Sequence, residues 1–289
     1  MTNADNPVRG IVIMCLSMFF FVAMDVLARE LTQRLPVSQI IWVRFLIFAA
    51  IAMLMVGPRT VRAKLKSSKP SLQIWRGLVM VAEIGAFVLC FRYLPVADVH
   101  AVAAVTPLIV TALAVPVLGE RVGWRRWAAV FIGFLTVLAI LRPGVRDLDW
   151  FHLLPVGAAA LWAIYQVLIR LTGRYDGSET TLLWTALLGA VVSSFFGWID
   201  WVWPSTETWL LLTAAGVLGG AAHYTLILAL SAAPASILQP FVYTTFLWAL
   251  LLGFVFFREF PDEITLFGAG VLIAVGVYVM RREAHQPPV

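Results

Sequence analysis

Residues 31–38 read LTQRLPVS and residues 171–178 read LTGRYDGS, each directly after a long apolar run. Leu, Thr, Arg and Ser recur at matching places, 140 positions apart. Polar punctuation that repeats at a fixed interval marks an internal duplication, and the flanking sequence extends it. At an offset of 139, Gly77 falls on Gly216, Pro95 on Pro234, Ala97 on Ser236 and Glu120 on Glu259. One small indel therefore relates two halves, residues 1–144 and 145–289.

The composition says where those halves live. Apolar residues make up 61% of the chain and charged residues 13%, with a mean hydropathy of +0.90. A water-soluble domain carries about 25% charged residues, so this chain cannot clothe a water-facing surface. It reads as an all-α integral membrane protein whose surroundings are a lipid bilayer. A spanning helix needs about 20 mostly apolar residues, and ten runs qualify, roughly 10–30, 37–56, 73–93, 96–118, 125–141, 152–171, 180–199, 208–230, 235–257 and 264–281. Five spans per half is an odd number, so the second half must enter the membrane from the opposite side. The expected architecture is two inverted five-helix repeats around a central cavity, a plan of secondary transporters that work by alternating access.

Lysine and arginine orient the chain. With a cytoplasmic N-terminus, that side receives Arg9, Arg59, Arg62, Lys64, Lys66, Lys69, Arg76, Arg121, Arg125, Arg126, Arg170, Arg174, Arg281 and Arg282. The other side receives Arg29, Arg34, Arg92, Arg142, Arg146 and Arg258. Fourteen against six places both termini in the cytoplasm. The basic run at 59–69 is a topology determinant in a short loop, and no nucleic-acid partner is expected. Cys15 and Cys90 lie inside apolar runs and form neither a disulfide framework nor a metal site. No cofactor is implied, and the assembly is a monomer or a dimer.

Ionisable groups inside a membrane are expensive and mark function. Asp25 and Arg44 both sit roughly 9–12 Å deep from the same side at 1.5 Å rise per residue; they form a structural pair, or one of them orients a substrate's carboxylate or ammonium. Glu83, near the middle of its helix, is a proton-coupling carboxylate, a partner of Arg44 or a neutral hydrogen-bonding acid. His100 and Asp98 open the fourth span, and His223 lies in the eighth. Trp162, Tyr165 and Gln166 share one helical face at i, i+3 and i+4. Gln239, Tyr243 and Trp248 follow on the ninth span. Indole, hydroxyl and amide groups together suit a cavity for a small molecule with an apolar body and a polar end. Glu120 and Glu259 close long helices, where Arg121, Arg125 or Arg258 are the expected partners. Pro107, Pro116, Pro155 and Pro240 are candidate kinks.

Three stretches carry a family resemblance. IIWVRFLIFAAIAML (40–54), YLPVADVHAVAAVTPLIVTALAVPVLGERV (93–122) and AAPASILQPFVYTTFLWALLLGFVFFREF (232–260) resemble the second and fourth helices of the drug/metabolite transporter superfamily, in its EamA-type branch. The second copy departs where Arg258-Glu259 replaces Gly119-Glu120, and where Trp184 aligns with Arg44. The resemblance implies a ten-helix inner-membrane carrier of small organic solutes. Within the branch it looks most like exporters of amino acids, aromatic ones included; a nucleotide-sugar or other metabolite antiporter is the alternative. An enzyme is excluded on sequence grounds: no H-E-x-x-H, G-x-S-x-G or paired aspartates at membrane depth occur.

Overall fold

The computed structural model describes residues 7–57, 59–119, 124, 128, 131–133, 135–136, 139, 153–233, 238 and 241–283. Among them there are helices and no strands. In chain order these are α1 (Pro7–Thr32), α2 (Val37–Val56), the single-turn α3 (Val61–Lys64), α4 (Pro70–Tyr93), α5 (Val96–Ala103), α6 (Thr106–Leu118), α7 (Leu154–Thr172), α8 (Ser178–Ser193), α9 (Thr206–Ala232), α10 (Thr244–Phe257) and α11 (Glu263–Glu283). Six described segments are long and apolar enough to cross a membrane: α1, α2, α4, α5 with α6, α7 and α9. The protein is a multi-pass membrane protein. α8, α10 and α11 stand where the seventh, ninth and tenth spans were expected, and most of the fifth, 125–141, lies outside the described residues.

The two octets form equivalent turns. α1 closes at Thr32 and α2 opens at Val37; α7 closes at Thr172 and α8 opens at Ser178. Their surroundings place them at opposite ends of the bundle. Arg34 reaches Glu207 at the start of α9, whereas Ser178 reaches Ser231 at that helix's far end.

The most extensive helix packing joins the halves: α1 with α9, α4 with α7, and α2 with both α8 and α9. Two glycines that match at offset 139 explain how closely the halves approach. A Cβ on Gly77 of α4 would come within 2.3 Å of Leu188 of α8, and one on Gly216 of α9 within 2.8 Å of Ile47 of α2. In each half the third span thus uses a glycine to lie against the second span of the other half. Without lipid-driven hydrophobic gain between helices, such backbone approach supplies the packing.

The prolines act at ends as much as within. Pro107 sits at the start of α6, where the fourth span is interrupted at Ala104–Val105, and Pro116 lies inside α6. Pro155 opens α7 instead of kinking it, as proline at a first-turn position does without losing a bond. Pro240 lies outside the described residues. α8 ends at Ser193, earlier than its apolar run, because the chain turns against α2: Trp42 Nε1 donates to Ser194 Oγ at 2.8 Å.

Candidate functional site

α1 presents Met18, Phe21, Met24 and Asp25 along one face to a cavity with about 690 Å³ of empty space. α2 adds Arg44, α4 adds Glu83 and Phe87, and α5 adds His100. Trp162 of α7, His223 of α9, and Tyr243 and Phe246 at the start of α10 complete the wall. The lining therefore comes from both halves, is mostly apolar, and gathers Asp25, Arg44, Glu83, His100, Trp162, His223 and Tyr243 into one space.

The charged groups are not arranged as the sequence suggested. Asp25 does not form its close contact with Arg44; its Oδ2 lies 3.1 Å from His100 Nε2. The reason is tertiary: α5 brings His100 to the acidic face of α1, and the stacked Phe87 ring, 6.2 Å away, holds the imidazole there. Arg44, 5% exposed, reaches only the Met24 thioether through Nη2, and its Nη1 has no hydrogen-bond partner. Glu83, 6% exposed, keeps Oε2 unpartnered. His223 Nε2 and the Tyr243 hydroxyl are also buried without partners. Buried donors and acceptors are normally satisfied, and each one left open costs about 1–3 kcal/mol. Several such groups around one cavity are what a polar ligand would complete.

Aromatic rings shape the wall. Phe21 meets Trp162 edge-on at 5.1 Å and His223 edge-on at 4.9 Å; Trp162 stacks on Tyr165 at 5.7 Å. Tyr165 and Gln166, though on the face predicted, are buried behind the lining, with Tyr165 Oη 3.3 Å from His223 Nδ1. Trp248 is half-buried outside the lining, edge-on to Phe19 at 5.2 Å. Gln239 and Glu120 lie outside the described residues. Phe21, Met24, Phe87 and Phe246 were missed by sequence reasoning. A usable signal existed for two of them, since Phe21 and Phe87 stand one helical turn from Asp25 and Glu83 on the same faces.

Polar contacts between the halves cross both ends of the bundle. At one end Glu259 pairs with Arg29 of α1, which also lies over the Phe257 ring at 4.5 Å, and not with Arg258 as expected. Arg258 turns away because it caps α10 in the left-handed conformation, φ 58°. At the same end Gln39 exchanges two bonds with the Val202 backbone, at 2.7 and 3.0 Å. At the other end Asp176 accepts from Ser67 Oγ, from Ser68 N at 2.8 Å and from Gln73 Nε2 at 2.8 Å. Partial burial raises the Asp176 carboxyl, but these hydrogen bonds outweigh it and hold the group below the usual carboxylate range.

Arg76 is the largest correction. Counted with the cytoplasmic-side cations that orient the chain, it is a fully buried residue of α4. It donates to Gln73 Oε1 at 2.8 and 3.1 Å, Thr185 Oγ1 at 2.6 Å and the Thr181 carbonyl at 3.0 Å. Its guanidinium carbon lies 5.9 Å from the Tyr165 ring centre.

Among the described residues no group of three or more His, Cys, Asp or Glu is placed to hold a metal ion. The model of the EamA-like transporter family matches residues 8–142 and again residues 149–282. A riboflavin transporter of Vibrio cholerae is 26% identical over 290 residues, covering 99% of this chain and 97% of that protein. An S-adenosylmethionine uptake transporter of Rickettsia prowazekii is 26% identical, with 90% of this chain and 88% of the relative covered. A pseudopaline exporter of Pseudomonas aeruginosa is also 26% identical, covering 94% and 96%. A solved crystal structure shares the fold, with a TM-score of 0.68 at 19% identity over 94% of this chain and 99% of that one.

Proposed function

This chain belongs to the EamA-like transporter family, membrane transporters and not enzymes, and from that premise we propose that it is a secondary carrier of small zwitterionic metabolites of the amino-acid type. One observation carries the reading. Arg44 and Glu83 line the same apolar cavity, are both buried, and each leaves a polar atom unpartnered without forming an ion pair with the other. A zwitterion supplies the anion that Arg44 lacks and the donor that Glu83 lacks, while Trp162, Phe21 and Phe87 receive an aromatic or other apolar side chain.

In this reading ten spans, as two inverted five-helix repeats over 1–144 and 145–289, alternate between openings to either side of a bacterial inner membrane. Both termini are cytoplasmic. The Arg29–Glu259 contact then lies on the outer side and the Asp176 network on the inner side, and one set must break while the other holds. Glu83 meets the substrate's ammonium in one half-cycle and takes a proton in the other, which couples export to the proton gradient. The relatives named for riboflavin, S-adenosylmethionine and pseudopaline favour a second reading, in which the cargo is another organic metabolite.

The test is uptake and exchange by the purified protein in liposomes, with phenylalanine, tryptophan, leucine, riboflavin, S-adenosylmethionine and a nucleotide sugar as substrates. Exchange of the amino acids is expected. Transport of riboflavin, S-adenosylmethionine or the nucleotide sugar with none of the amino acids moving would establish the second reading. In Glu83→Gln, exchange persists and its dependence on a proton gradient disappears.

A further inference from the structure

A second, smaller cavity of about 240 Å³ opens between α2 and α9 and shares Arg44 and His223 with the central one. Its floor is the glycine face of α9. A Cβ at Gly219 would come within 2.9 Å of Met24 Sδ and 3.5 Å of Arg44 Nη2, and one at Gly220 within 3.1 Å of the Phe48 ring. The glycines let α9 lie close against Met24 and Phe48, and Arg44 and His223 are the polar members of a lining otherwise made by Phe45, Phe48, Ile84 and glycine.

Two donors meet there without an acceptor. Arg44 has five N–H groups, yet it engages only a thioether, a weak acceptor, and no carboxylate of the described residues lies within 4.0 Å of it. His223 is 2% exposed, with Nδ1 3.3 Å from the Tyr165 hydroxyl and Nε2 unpartnered. The Tyr165 hydroxyl is placed to donate to Nδ1, and with that bond the imidazole hydrogen is on Nε2. Phe48, stacked 5.8 Å away at 15°, and Phe21, edge-on at 4.9 Å, fix the ring plane.

We infer that the wall where the two cavities meet is a carboxylate subsite, in which Arg44 and the Nε2–H of His223 hold the substrate's anionic group and Tyr165 is the positioning residue that sets the His223 tautomer. The inference rests on the cavity being the binding site of a zwitterionic substrate, and it says which end of the substrate lies where. A charged guanidinium beside a neutral N–H selects an anion over an uncharged acceptor.

The experiment measures binding to the full-length protein in lipid nanodiscs, using phenylalanine against phenylalaninamide and tryptophan against tryptamine. The wild-type protein should favour each acid by about tenfold or more. His223→Gln, whose amide N–H can stand in for Nε2–H, should keep most of that preference, and His223→Leu and Arg44→Gln should lose it. In a 15N spectrum of the imidazoles, His223 should show a protonated Nε2 in the wild type and a mixture of tautomers in Tyr165→Phe. Equal binding of acid and amide overturns the subsite while leaving the cavity as the binding site. A wild-type His223 protonated on Nδ1 overturns it without reference to any ligand. Binding of none of the four compounds overturns the zwitterion reading, and this inference with it.

Discussion

Arg76 on α4 and Arg44 on α2 are both buried arginines on spanning helices, 0% and 5% exposed, and the protein surrounds them in opposite ways. Around Arg76 every nitrogen has an acceptor. Gln73 one turn away, the Thr185 hydroxyl and the Thr181 carbonyl take its donors, and Tyr165 lies beside it. Three of those four partners belong to the other half of the chain, so Arg76 is a bolt between halves. Around Arg44 the only acceptor engaged among the described residues is a methionine sulfur. A buried cation whose nitrogens are all hydrogen-bonded can hold a fold together, whereas one with a nitrogen left open costs stability and is available to a ligand. The difference separates an arginine that builds the protein from one that serves its cargo.

Each part of that contrast can be broken. The largest effect is expected from Arg76→Ala, which strands Gln73 and Thr185 in the interface. It should cost about 1–3 kcal/mol for each acceptor left open, read as a lower unfolding temperature and poor recovery in detergent. Arg44→Gln should leave unfolding unchanged or raised while weakening binding of an amino-acid substrate by about tenfold to a hundredfold. If Arg44→Gln destabilises the protein as much as Arg76→Ala, the distinction between the two arginines fails. Trp162→Ala should be milder, with about a fivefold to tenfold weaker affinity for aromatic amino acids and a smaller change for alanine. Equal losses for both would remove the ring from the apolar end of the site.

The smallest effect concerns the far end of the Arg76 network, where Gln73 also binds Asp176. Because the folded carboxyl lies below its unfolded value of about 3.9, its contribution is full above that pH and is lost as pH falls through the folded value. Acid unfolding curves should therefore show a steeper loss of stability below about pH 4 in the wild type than in Asp176→Asn. With Asp176 partly exposed, the difference should be at most about 1 kcal/mol.

Gly77 and Gly216 show how far the repeat could be read. Their match at one offset was visible in the chain, and both turn out to sit at the crossing of a third span with the second span of the other half. Trp162, Tyr165 and Gln166 show where such reading stops. Helical spacing put them on one face, and that much holds, but only Trp162 lines the cavity. A face is a local property of 3.6 residues per turn, whereas the depth of a side chain behind that face depends on the neighbouring helix. The same limit explains Glu259 and Asp25. Each was assigned a partner close in sequence or at equal depth, and each found another, Arg29 and His100, on a helix whose position no local pattern encodes.

What the sequence by itself determined is the medium and the plan. So few charges in 289 residues leave no fold that water would tolerate, and the echoed octets point to a duplicated chain, which the family model then matches twice, because hydropathy and repetition are written locally. What only the tertiary structure decided is which buried polar groups are satisfied. Arg44 and Arg76 are the same residue type, and apart from Gln73 three residues before Arg76 no neighbour in sequence says which of them will be paired. Hydrogen bonds at about 3 Å are settled by side chains arriving from other helices, so the pairing of Arg76 and the openness of Arg44 exist only once both halves have been brought together.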